Sequence, residues 1–183
     1  MFEQILLIII SVLFLGTIFA FNNLVKFKNR TKEAWADIDV QLKRRYNLIP
    51  NLIETVKGYA KHEKDIFDNV AMARAKAMGV SDLGKKQEAE ADLTKTLKTL
   101  FAVSENYPEL RASENFSELQ EELRDTEDKI QAARRFYNTN VRDLNTKIES
   151  FPVNMIASVL GFKKVEFFEL GEADQREVPK ANF

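Results

Sequence analysis

The sequence contains no cysteine. That excludes disulfides, thiol catalysis, iron–sulfur clusters and cysteine-ligated zinc. A single histidine, His62, is present, so no multi-histidine metal site can be assembled within one chain. Glycine and proline are scarce, six and four in 183 residues. Alanine, leucine, lysine and glutamate are common, which predicts an almost wholly helical chain. Neither sign of charge is in excess: 27 Lys and Arg stand against 28 Asp and Glu. The two are interspersed, so there is no basic stripe of the kind a nucleic-acid binder carries. There is no glycine-rich phosphate loop, nucleophile elbow or paired catalytic acid. The expectation is a non-enzymatic protein that needs no cofactor, metal or nucleic acid.

What the chain does have is one long apolar run at its start. Ile5 to Phe21 reads ILLIIISVLFLGTIFAF, uncharged, with Ser11 and Thr17 its most polar side chains. Its large residues are Ile5, Leu6, Leu7, Ile8, Ile9, Ile10, Val12, Leu13, Phe14, Leu15, Ile18, Phe19 and Phe21. As a helix these seventeen residues span about 25 Å, at the short end of what crosses a bilayer. Phe2, Leu24 and Val25 extend the apolar length. A cleaved signal peptide fits less well. No basic residue precedes the run, and Ile18-Phe19-Ala20 is a poor cleavage site. The run reads as a retained single-pass anchor, residues 1–24. Lys26, Lys28, Arg30 and Lys32 follow it before the first downstream acid, Glu33. That bias predicts an outer N-terminus and a cytoplasmic main domain.

The next stretch, residues 25–150, is charged and helix-periodic, with a length that fits one domain. Phe27, Trp35, Ile38, Leu42 and Tyr46 mark the face of a first helix at heptad-like, coiled-coil spacing. At Asn47-Leu48-Ile49-Pro50 the proline removes a ladder bond, and Asn47 suits an N-cap. The favoured reading is a break there, with a second helix over about 48–78. Because the apolar phase is kept across Pro50, one long kinked helix competes with it. Gly79 to Gly84 forms a loop. A third helix spans about 85–106 and Tyr107-Pro108 ends it. After Ser113 a fourth runs over about 114–150, without Gly or Pro. Four helices with short connections predict an antiparallel up-and-down four-helix bundle, with helix four leading back towards the membrane.

Residues 151–183 then begin with a short amphipathic helix closed by Gly161. Met155, Ile156, Val159, Leu160 and Phe162 give it an apolar face, flanked by Phe151. Lys163 and Lys164 suit anionic headgroups. From Val165 to Phe183 an extended tail is expected, packing on the bundle or on a neighbour.

Three stretches have the character of a signature. They are NNLVKFKNRTKEAWADIDVQLKRRYNLIPNLIETVKGYAKHE from Asn22, LFAVSENYPELRASENFSELQEEL from Leu100 and ARRFYNTNVRDLNTKIESFP from Ala133. With the C-terminal GFKKVEFFE and PKANF, they resemble the LemA family over essentially the whole chain. The resemblance implies a single-pass bacterial membrane protein with an antiparallel four-helix bundle, a short outer N-terminus and a cytoplasmic bulk. It implies no activity and supplies no catalytic residues. Some relatives are linked to membrane-compartment biogenesis.

Several constellations have both a functional and a plainer reading. Arg45, Arg134 and Arg135 could hold a phosphate or lipid headgroup bidentately. The plainer reading pairs them with inward carboxylates such as Glu54 or Glu63, because buried charges must be paired. His62-Glu63 resembles a fragment of a metal or acid–base site, yet lacks further ligands at metal spacing, so a solvated helix-surface histidine is expected. The carboxylates Glu88, Glu90 and Asp92, and those from Glu121 to Asp128, spread around their helices as a solvated face. Trp35, Tyr46, Tyr59, Phe101 and Tyr137 are expected in the bundle core rather than around a ligand. The function expected is that of a self-associating membrane scaffold in a bacterial inner membrane, contacting lipid and forming a homo-oligomer. The alternative is a tethered adaptor that recruits a membrane-protein partner such as a protease or signalling protein.

Overall fold

The computed structural model describes residues 1–169. Six helices and no strand occur among them: α1 Phe2–Lys57, α2 Lys64–Gly79, α3 Leu83–Ser104, α4 Pro108–Arg111, α5 Glu114–Glu149 and α6 Val153–Val159. The all-helical expectation is met. Residues 170–183, including PKANF, lie outside the described part.

The break expected at Pro50 is elsewhere. α1 runs straight through the proline to Lys57, so the chain follows the competing reading there. Pro50 offers no N–H to the Tyr46 carbonyl, and a buried carbonyl without a donor is costly. Arg74 replaces that donor: its Nε donates to the Tyr46 carbonyl at 2.7 Å. The pyrrolidine ring itself is exposed. The helix ends instead at Gly58, the residue with the weakest hold on a helix after proline. The Val56 carbonyl accepts from both Tyr59 and Ala60, at 3.0 and 2.9 Å, which closes the last turn. The chain re-enters a helix after Glu63, whose carbonyl accepts from Ile66 and Phe67.

Other boundaries follow local chemistry. Asp82 caps α3, its carboxylate accepting from the Lys85 N–H at 3.1 Å. Pro108 starts the one-turn α4 where a continuous loop was expected, in the first-turn position a proline tolerates. Gly161 takes φ +71° just past α6, the left-handed conformation that ends helices.

The chain groups into two units. One holds Met1–Val40 and Ile130–Phe167; the other holds Gln41–Lys129 with Phe168 and Glu169 among the described residues. In the first, Trp35 of α1 meets Tyr137 of α5 edge-on, with ring centroids 5.5 Å apart. Lys147 of α5 rests over the Phe27 ring at 6.0 Å. In the second, the stripe Leu42, Ile49, Leu52 and Val56 of α1 is buried. Each such side chain contributes about 1.5–3 kcal/mol by leaving water. α2 packs along α3, with Lys76 paired to Asp92 at 2.6 Å on the exposed side.

Candidate functional site

Within the first unit, α1 opens with the one described helical segment long and apolar enough to cross a membrane by length and composition. Every large side chain expected to span is exposed there, from Ile5 through Phe21. α6 lies against the downstream end of this segment. Phe162 meets Phe21 edge-on with centroids 6.1 Å apart, and Lys28 stands over the Phe162 ring at 5.5 Å. Ala157 is fully buried and anchors α6, while Met155, Val159 and Leu160 remain exposed beside Phe151. Ile156 and Phe162 are half-buried, so they hold the helix in place more than they present a surface. Lys163 is exposed, and Lys164 forms an ion pair with Glu149.

The start of the tail is tied along α5. Asn145 clamps Val165 with two hydrogen bonds of 2.9 Å: its amide donates to the Val165 carbonyl and its oxygen accepts from the Val165 N–H. The Tyr137 hydroxyl donates to the Glu166 carbonyl at 3.1 Å. Burial pushes the Tyr137 phenol above its ordinary value, with the Glu166 charge adding to the shift.

The second unit holds a buried ionic cluster. Arg45 is 3% exposed and Glu90 1%. The Arg45 guanidinium donates to the Thr94 hydroxyl at 2.7 Å and lies 3.5 Å from Glu90 and 3.2 Å from Glu127. Glu90 also accepts from the Tyr46 hydroxyl, and buried Lys86 stands over the Tyr46 ring at 5.7 Å. The arginine is thus paired internally, but not with the expected partners. Glu54 pairs with Lys57, and Glu63 accepts from the Tyr107 hydroxyl at 3.0 Å, a bond that raises the Tyr107 phenol. Glu90 was placed by sequence on a solvated face. It belongs instead to the apolar phase of α3 together with Lys86, Ala89, Leu93 and Leu97. That shared phase with its buried neighbours is the signal that could have found it.

Arg134 is buried in α5, whereas Arg135 is exposed rather than inward. His62 is exposed in the turn between α1 and α2, not on a helix. Tyr59 is likewise exposed, against the core position expected for it. Asp125 is held below the usual carboxylate range, first by its hydrogen bond from Lys129 and then by Arg44. Among the described residues no group of His, Asp and Glu could hold a metal ion. The described residues thus present one exposed apolar surface and one internal charge network.

The LemA family model matches residues 34–183. The chain belongs to the LemA family. Magnetosome protein MamQ 2 of Paramagnetospirillum magneticum is 26% identical to this LemA-family chain, over 89% of it and 71% of that protein. Protein LemA of Metamycoplasma hominis is 26% identical over 86% and 72%. Magnetosome protein MamQ of Magnetospirillum gryphiswaldense is 25% identical over 73% and 58%. None of these names describes a catalytic activity. Family and apolar segment together describe a membrane-associated helical protein.

Proposed function

We propose that this LemA-family protein is a single-pass scaffold of a bacterial inner membrane, with no enzymatic role, that self-associates through its helical domain. The observation that carries the reading is the position of Phe162, three residues past α6, against Phe21 and Lys28 at the downstream end of the apolar segment. Two elements with exposed apolar side chains then meet the same leaflet. In this reading the pair sets the angle between membrane and helices, as an array that shapes a membrane patch needs.

The domain is an antiparallel four-helix bundle in this reading, built mainly from α1, α2, α3 and α5. The contacts of α1 with α5 support it: Phe27 meets Lys147 and Trp35 meets Tyr137. Position rises along one helix as it falls along the other. The excess of Lys26, Lys28, Arg30 and Lys32 downstream supports a cytoplasmic domain and an outer N-terminus. Two of the relatives are magnetosome proteins by name, which agrees with a role at a membrane compartment.

The test is the mass of the full-length protein in mild detergent, beside a variant carrying Val40→Ser, Met72→Ser and Phe136→Ser, three exposed apolar positions of the helical domain. A large defined oligomer that dissociates in the triple variant is expected. A monomer in the unaltered protein sinks self-assembly and favours the adaptor reading, in which mass is gained only with a protein partner.

A further inference from the structure

Within the first unit, α1 and the region around α6 enclose an open groove of about 640 Å³. That volume lies in the range of sites that bury a small organic ligand. Val12, Gly16 and Ala20 line one side, and Pro152, Val153 and Ile156 another. The groove follows α1 from Val12 to Leu24, about 18 Å along the helix. Its floor belongs to the segment apolar enough to lie in a bilayer. Thr17, which also lines it, turns its hydroxyl back to the Leu13 carbonyl at 2.9 Å. That hydroxyl therefore asks nothing of an occupant.

The downstream end of the groove has a different character. Lys147 lines it, with its ammonium over the Phe27 ring, and Lys28 stands over the Phe162 ring. Each of these two ammonium groups rests on an aromatic face, and neither forms an ion pair among the described residues. Among the described residues no acidic side chain lines the groove, and the neighbouring Glu149 is engaged by Lys164. An apolar channel that ends at Lys147, with Lys28 one helical turn beyond its last α1 residue, Leu24, is complementary to one amphiphile: a fatty chain joined to an anionic head.

We propose that this groove is a binding site for one anionic phospholipid, its acyl chain along Val12 to Ala20 and its phosphate between Lys147 and Lys28. The proposal rests on the membrane-embedded reading of α1 but not on self-association. Bound there, the lipid would fill the space between anchor and α6 and make their joint rigidity depend on lipid composition.

Gly16 allows a direct test. A Cβ built at this position meets nothing within 4 Å, so a side chain can start there without a clash at its first atom, from a residue that lines the groove. Full-length protein in dodecyl maltoside is mixed with phosphatidylglycerol or with phosphatidylcholine of the same chains, and retained lipid is counted by native mass spectrometry. The unaltered protein should keep one phosphatidylglycerol per chain, with about a thirtyfold preference over phosphatidylcholine from the two lysines. Gly16→Trp should abolish retention of both lipids. Lys147→Gln, a change at an exposed position, should erase the preference and spare weak retention of either. Equal retention of the two lipids by the unaltered protein overturns the proposal, as does unchanged retention in Gly16→Trp. If Gly16→Trp alters the oligomeric mass while phosphatidylglycerol stays bound, a second copy of the chain occupies the groove and the lipid site is wrong. A monomer that still retains phosphatidylglycerol selectively keeps the lipid site and removes the scaffold.

Discussion

At the scale of single residues, the chain's least expected arrangement is the replacement of one backbone donor by a side chain. Pro50 deprives the Tyr46 carbonyl of its helical partner, and Arg74, from a different helix, donates to that carbonyl in its place. Proline and arginine should therefore be coupled energetically. Arg74→Leu should destabilise the protein by about 1–3 kcal/mol, the cost of an unsatisfied buried acceptor. In a Pro50→Ala background the alanine N–H is available to the same carbonyl, and the cost of Arg74→Leu should fall below about 1 kcal/mol. Urea unfolding of the four proteins of this cycle measures the coupling. Equal costs in both backgrounds would show that Arg74 acts elsewhere. The Arg45–Glu90 pair is surrounded by Thr94, Tyr46 and Glu127, although among the described residues Arg45 Nη1 and Glu90 Oε2 make no hydrogen bond. Such a pair is weak evidence for stability, yet breaking it leaves a buried charge.

At the scale of elements, the sequence was legible wherever an end was set by its own residues. The apolar run, the Gly79–Gly84 loop, the uninterrupted α5 and the Gly161 stop are all local signals, and each is found close to its expected place. The α1 boundary was misread because Pro50 is a strong local signal whose cost is met from 24 positions away, whereas Gly58 is a weak one that nothing offsets. The cluster around Arg45 was illegible for the same reason: its carboxylate lies 45 positions on, and periodicity alone does not pair helices. The tail shows the converse. An extended segment carries no period, but Asn145 and Tyr137 hold its start against α5. Its pH response follows from Tyr137, which must be neutral to donate to the Glu166 carbonyl. Its phenol is raised above 10.0, chiefly by burial. The native state therefore binds the proton more tightly than the unfolded chain does. The stability that this supplies is intact below about pH 10 and is lost as pH rises through the raised value. Thermal unfolding between pH 9 and 12 should show a steeper decline for the unaltered protein than for Tyr137→Phe. Parallel curves would mean that the phenol ionises without loosening the tail.

At the scale of the whole molecule, the open variable is the side of the membrane on which each part stands. Lys26, Lys28, Arg30 and Lys32 follow the apolar run, and the residues before it carry Glu3 and no basic side chain. Cationic side chains are retained on the cytoplasmic side, and the bias within the first turns after a span weighs most. A chain without cysteine is suited to reading this out, since any thiol introduced is the sole reactive site. Glu3→Cys places one before the span. Met72→Cys places another on α2, where the native side chain is 62% exposed. A membrane-impermeant maleimide applied to intact bacterial spheroplasts should label Glu3→Cys at once and leave Met72→Cys unlabelled until the membrane is opened. The reverse pattern would put the helical domain outside and defeat the charge argument. Immediate labelling at both sites would mean that the apolar segment lies along the outer surface instead of crossing. In that geometry the groove beside α6 would meet only the outer leaflet, so the labelling result also decides which leaflet's anionic lipid can reach Lys147 and Lys28.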